Sequence, residues 1–298
     1  MKINRLLYRS LTIITLCFSK QAEIRESWAA LLNTNFEQIH ATHHINNLIR
    51  QNAIPSSKKE QDLLDRIGIK VLDEKLLVMM PEQMDEIYQT THFNIHYDTD
   101  GSSGSVSSND VNNNSVPDYV ENMGIIFEDV YHFFKDSMGY DITFLNSQNV
   151  GNNKYDIFID NLPTNYFAIT YTTSFINQAS TSCGSYIKMR NNYNGAAFQN
   201  ITELENIKIT AAHEFFHAIQ FSYNCYERFW LMEATAVWSE DEIYNEIKDH
   251  YRYMPSWFQN SAKPIDDESS HMYGSFIFFQ YIDAVSYTHL TLPTIAIV

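Results

Sequence analysis

The chain has no run of about 18 or more apolar residues, the length an ordinary membrane-spanning helix needs. Positive charge is also scarce. Lys+Arg number 20 against 36 Asp+Glu, a formal net charge of −16, and no basic cluster offsets it. A polyanion such as DNA is repelled by that field, so nucleic-acid binding is excluded as the leading function; metal cations and a salty exterior suit the charge better. Cysteine is scarce too. Cys17, Cys183 and Cys225 are too few to form a recognisable disulfide or metal pattern. What the chain has is apolar bulk: 44% hydrophobic residues, 14% aromatic and only 19% charged over 298 residues. That composition belongs to a globular protein with a sizeable core, in one large domain or two modest ones.

The two ends read as something other than fold. Lys2, Arg5 and Arg9 precede the short apolar run Leu11 to Phe18, and Cys17-Phe18-Ser19 offers small residues for cleavage. Residues 1–19 therefore read as a secretory signal peptide, the alternative being a buried N-terminal helix. Export to the outside or the surface of a bacterial cell is the expectation. Cleavage would leave Cys183 and Cys225, which either pair across a loop of about 40 residues or stay apart as buried thiols. At the other end, Ser286 to Thr294 resembles a translated sequencing-adapter scar. Residues 285–298 are accordingly set aside from fold reasoning, and the natural chain is expected to run on past Ala284.

Between the ends, residues 20–90 read as a helical, polar N-terminal segment, a pro-segment or a packing cap, with Ile24, Trp28, Leu31 and Leu32 at helical spacing. His40, His43 and His44 sit on that polar helix and read as solvated. From Thr91 the pattern changes. Phe93–Tyr97 alternates like a half-buried strand, Val120–Met138 has helical spacing closed by Gly139, and 154–159, 167–175 and 185–189 are further strand candidates. After Gly195 the chain turns helical. A mixed sheet followed by helices is an α+β pattern.

The chemistry is concentrated in His213-Glu214-Phe215-Phe216-His217. Two histidines at i and i+4 project from one helix face and can share a zinc ion, while the adjacent Glu214 is placed to take a proton from water. Thr202-x-x-Glu205 is a capping box that would start this helix upstream. Ile209, Ala212, Phe215, Phe216, Ile219 and Phe221 make the helix apolar nearly all round, so it is expected to be buried. Buried histidines and a carboxylate need a partner, and a cation is one. The third ligand is not a histidine of the metzincin type, because Gln220 and Tyr223 stand where that motif needs Gly and His. Glu233, 16 residues beyond His217 on the next helix, is the favoured third ligand. Glu240, two turns later on the same face, is the fallback, a partner of a ligand, or a solvated acid.

A second metal loop is legible upstream. Asp110, Asn112, Asn114, Asp118 and Glu121 place oxygens at positions 1, 3, 5, 9 and 12 of an EF-hand-like loop, and Val116 offers its carbonyl at position 7. Ser115 stands at position 6, where a glycine is usual. Structural calcium is the expectation, an Asn-rich polar loop the alternative.

His213–His217 followed by Trp230-Leu-x-Glu233-Ala-x-Ala resembles the gluzincin metallopeptidases. With Phe93–Thr99, Val116–Glu121 and Thr210–Tyr223, the chain is similar over residues 91–283 to a family of secreted bacterial metalloproteases named after a myxobacterial member, whose activity is itself largely inferred. The resemblance implies a zincin-like catalytic domain over 91–284 with a mixed twisted sheet, a zinc-binding helix and a glutamate-bearing helix. It also implies zinc on His213, His217 and Glu233, Glu214 as catalytic base, and an oxyanion partner from a later helix, for which His271 and Tyr273 are candidates. Ala234 departs from the usual Gly, and the spacing to Glu233 is short. Tyr186–Met189 is the expected sheet edge for a peptide substrate. The function this implies is a secreted zinc-dependent endopeptidase. Its rivals are a calcium-stabilised adhesion module with an inactive zinc site and a zinc hydrolase of non-peptide amides or esters.

Overall fold

A computed structural model describes residues 20–33, 40–81, 84–100, 104–142, 154–175 and 181–286. The signal-peptide reading of 1–19 and all but the first two residues of the adapter scar lie outside them.

The N-terminal part is not all helix. Helices α1 (20–31), α2 (Ala41–Gln51) and α3 (Lys58–Ile67) are followed by a hairpin of β1 (Ile69–Leu72) and β2 (Lys75–Val78). Its two-residue turn puts Asp73 and Glu74 at φ 49° and 58°, the backbone that matches strand twist in a tight hairpin. Strand β3 (Glu86–Gln89) then joins the main sheet, so the sheet begins before the composition shift at Thr91. A four-residue strand is too short to register as alternation in a polar stretch.

The main sheet has the order β3-β4-β5-β7-β6, with β4 (Phe93–Tyr97), β5 (Tyr155–Asp160), β6 (Ala168–Phe175) and β7 (Cys183–Arg190). β4, β5 and β7 run parallel, and β3 and β6 are antiparallel edges. The class is thus α+β with a mixed sheet. Period-two side-chain alternation builds a core on each face. Phe93, Ile95, Ile157, Ile159, Ile187 and Met189 meet α4 (Asp118–His132), α5 (Glu203–Asn224) and α6 (Phe229–Ile243). Phe158, Ile169, Tyr171 and Tyr186 meet the N-terminal helices through Trp28, Ile45, Leu48 and Leu64. The N-terminal segment is therefore half of the sheet's packing.

Helix α4 continues through a π-helical turn, Phe133–Ser137, and Gly139 at φ 77° takes the chain out, as the spacing predicts. Of the later helices, α8 (His271–Gly274) and α9 (Phe276–Ser286) pack behind α6, and the short α7 (Met254–Gln259) packs against α8. Among the described residues no helix is long and apolar enough to cross a membrane.

Candidate metal centre

Helix α5 starts where the sequence says it should. The Thr202 hydroxyl accepts from the Glu205 N–H and the Glu205 carboxylate accepts from the Thr202 N–H, a complete capping box. The helix then passes through the core, and its middle is buried on every side. A disulfide, Cys183–Cys225, ties its C-terminal end to the start of β7, so the two cysteines do pair. Four residues later α6 folds back antiparallel against α5, carrying Glu233 and Glu240 on one face two turns apart.

That return brings the three expected groups together. His213 Nε2 lies 3.0 Å from His217 Nε2 and 3.3 Å from Glu233 Oε2, and His217 Nε2 lies 3.3 Å from Glu233 Oε1. Zinc–nitrogen bonds of 2.0–2.1 Å in a tetrahedron place neighbouring ligand atoms about 3.3 Å apart, so the cluster has the dimensions of a zinc cage. Neither Glu233 oxygen has a hydrogen-bond partner although both are buried. An unpartnered carboxylate at 0% exposure is costly unless a cation faces it.

The outer nitrogens are steered. His213 Nδ1 is 2.6 Å from Glu240 Oε1, and His217 Nδ1 is 2.8 Å from Gln220 Oε1. Each contact draws the ring proton to Nδ1 and leaves the Nε2 lone pair aimed inward, the arrangement that metal-binding histidines use. Gln220 is itself fixed, donating to Thr235 Oγ1 and the Met232 carbonyl of α6. Of the roles open to Glu240 in the sequence, the geometry supports that of a partner to His213. Without a cation, burial opposes charge on His213, but the adjacent Glu233 and Glu240 carboxylates outweigh it and push its pKa up to about 10. Burial would also raise Glu233, but the facing imidazoles of His217, His43 and His213 hold it well below the usual carboxylate range. The cluster is built around one positive charge, proton or metal.

Glu214 is held beside the cage. Its Oε2 accepts from Thr42 Oγ1 at 2.7 Å and Thr170 Oγ1 at 2.6 Å, while Oε1 is buried and unpartnered. A carboxylate with one oxygen anchored and the other free is poised to accept a proton.

No protein-family model, curated protein or solved structure matches the chain.

Three expectations are corrected. His40 and His43 are not solvated: they are 7% and 5% exposed and face the centre. The His40 ring packs 4.2 Å from that of His213 and offers a nitrogen within 4.8 Å of both His213 and Glu214. His43 Nδ1 lies 3.2 Å from Glu233 Oε1 and 3.1 Å from the Tyr273 hydroxyl. Their sequence neighbourhood is polar, but Thr42, Asn46 and Asn47 are buried with them, and charge counting along a helix cannot reveal that. Second, Tyr186–Met189 is no edge. β7 lies between β5 and β6, fully buried, and the edge beside Glu214 is β6. Chain order does not give spatial order in a sheet. Third, of the two oxyanion candidates only Tyr273 reaches the site, through His43. His271 stacks on Trp257 with ring centroids 5.5 Å apart, and its electrostatic neighbours are Asp267 and Lys263.

The expected calcium loop is folded on itself. Asp110 accepts from the N–H groups of Asn114 and Ser115, Asn112 Oδ1 from Asn114 N–H, and Asn114 Oδ1 from Val116 N–H. Glu121 accepts from the side-chain amides of Asn112 and Asn114, and Asp118 Oδ1 from the Val111 N–H. Ser115 takes φ 72°, the conformation for which position 6 favours glycine. Asp110, Asp118 and Glu121 do not bring three ligand atoms within 4.8 Å of one another as His213, His217 and Glu233 do.

Proposed function

We propose that this chain is a secreted zinc-dependent peptidase of the gluzincin kind with a zincin-like catalytic domain. The observation that carries the reading is the convergence of His213, His217 and Glu233 at zinc-ligand spacing, beside a Glu214 with one free buried oxygen. Zinc held by these three residues supplies Lewis acidity to a carbonyl and to water. The chain's own groups do the rest. Glu240 and Gln220 fix the ligand tautomers. Thr170 holds the Glu214 carboxylate so that Oε1 accepts the proton of the attacking water and returns it to the leaving amine. Tyr273, a buried hydroxyl that reaches the site through His43, is the donor for the developing oxyanion. The signal-like N-terminus and the disulfide support export. A calcium ion on Asp110, Asn112, Asn114, Val116, Asp118 and Glu121 is part of the proposal, as a structural ion whose binding would replace the loop's internal hydrogen bonds.

Elemental analysis with a casein digest tests this. Wild type carries one zinc per chain. Glu214→Gln keeps the zinc and loses hydrolysis by about 10²-fold or more. Equal cleavage by the variant, or no zinc in the wild type, ends the reading.

A further inference from the structure

Helix α2 is an odd element to find inside a protein. His40 at its N-cap and Thr42, His43, Asn46 and Asn47 within it are all buried, although each carries polar atoms that water would satisfy. Asn47 bonds to Ser27 Oγ and the Glu23 carbonyl of α1, and His40 Nε2 meets Arg252 and Tyr253, while Thr42, His43 and Asn46 direct polar atoms to the metal centre or to the edge strand beside it.

The edge is taken first. On β6, Thr170 points its N–H and C=O away from β7, the direction in which an added strand would pair. Both groups are occupied. The Thr170 N–H donates to Thr42 Oγ1 at 2.9 Å, and Asn46 Nδ2 donates to the Thr170 carbonyl at 3.2 Å. Further along the strand, the Thr172 hydroxyl donates to Asn46 Oδ1 at 3.0 Å. Thr42 and Asn46 are one turn apart on one helix face, so a single helix imitates what a peptide backbone would offer.

The reacting position is taken as well. A scissile carbonyl must come close to both the cation and Glu214, and the His40 ring crowds that space, against His213 and with a nitrogen within 4.8 Å of Glu214. His40 Nε2 accepts from Arg252 at 3.1 Å and lies 2.7 Å from the Tyr253 hydroxyl. The ring proton is thus on Nδ1, so His40 fills the space without offering the cation a lone pair. The same Thr42 hydroxyl that blocks the edge donates to the catalytic carboxylate. His213, Glu214 and Glu233 are at 0% exposure, closed to any substrate.

We infer that residues 40–46 are an internal inhibitor of this centre: α2 lies in the peptide-binding cleft as a substrate-like strap, and the enzyme is latent until it is displaced. The inference rests on the zinc peptidase reading and adds its regulation. Arg50 is the far anchor, donating to the Cys225 and Glu227 carbonyls at the α5–α6 turn with its guanidinium over Phe229. Displacing α2 would uncover the β6 edge, Glu214 and the cation together.

The test compares full-length wild type with a His40→Ala/Asn46→Ala chain, each loaded with zinc and checked for folding by circular dichroism. Two rates are read: zinc transfer to dipicolinate and hydrolysis of labelled casein. With the strap closed in nine molecules of ten or more, loosening it raises both rates at least about ten-fold. If the double variant does not fold, Thr42→Val removes one hydroxyl at constant volume and is read the same way. Unchanged zinc transfer in a folded variant overturns the strap and leaves the peptidase reading standing. Faster zinc transfer without any casein cleavage supports the strap and overturns the peptidase reading. A wild type that holds no zinc overturns both.

Discussion

A ligating histidine is only as good as the bond on its other nitrogen, and that is where the single residues of this centre can be separated. Glu240 and Gln220 touch no cation, yet they set the tautomers of His213 and His217. Glu240→Ala is expected to weaken zinc binding by about 10–100-fold, measured by competition with a chromophoric chelator. Gln220→Ala is expected to do the same through His217. Burial raises the Glu240 carboxyl, against the pull of His213. Ser115 is a second residue-scale test: Ser115→Gly relieves the left-handed backbone and should raise calcium affinity, read by calorimetry.

Elements place these residues. Helix α5 owes its start to the Thr202–Glu205 box, and Thr202→Ala is expected to cost about 1 kcal/mol in urea unfolding. The Thr202 hydroxyl and backbone N–H hold the Glu205 carboxyl below its usual value. A depressed acid stabilises the fold above its unfolded pKa of about 4.3 and loses that contribution as pH falls through the lower folded value. The stability gap between wild type and Glu205→Gln should therefore close on going from pH 6 to pH 3. The disulfide acts on the same helix. It closes a loop with sequence separation 42, and Cys183→Ser/Cys225→Ser is expected to cost about 4 kcal/mol by loop entropy.

At the scale of the whole molecule the N-terminal helices and helices α4 to α6 are the two outer layers of one sheet, and α2 bridges them at the β6 edge. Zinc binding should then stabilise the entire fold. EDTA is expected to lower the melting temperature of wild type, with a smaller drop for Glu233→Ala, whose zinc is already weakened. The effect should extend to α2, so amide exchange of residues 41–51 is expected to quicken when zinc is removed.

Local and periodic features are legible in the chain itself. The His213–His217 spacing, the capping box, the strands at 93–97 and 155–160 and the enclosed α5 all follow from backbone periodicity and hydrogen bonding within a few residues, which any sequence displays directly. Even Glu233 is within reach, because an antiparallel helix pair has few ways to close. What only the tertiary structure decided are the meetings across long separations: Thr42 with Glu214, 172 residues apart, and Tyr273 with His43, 230 apart. Nothing local marks such pairs. A buried histidine looks like a solvated one until the sheet edge that hides it is in place, since burial belongs to the packing of all layers together and not to any segment alone.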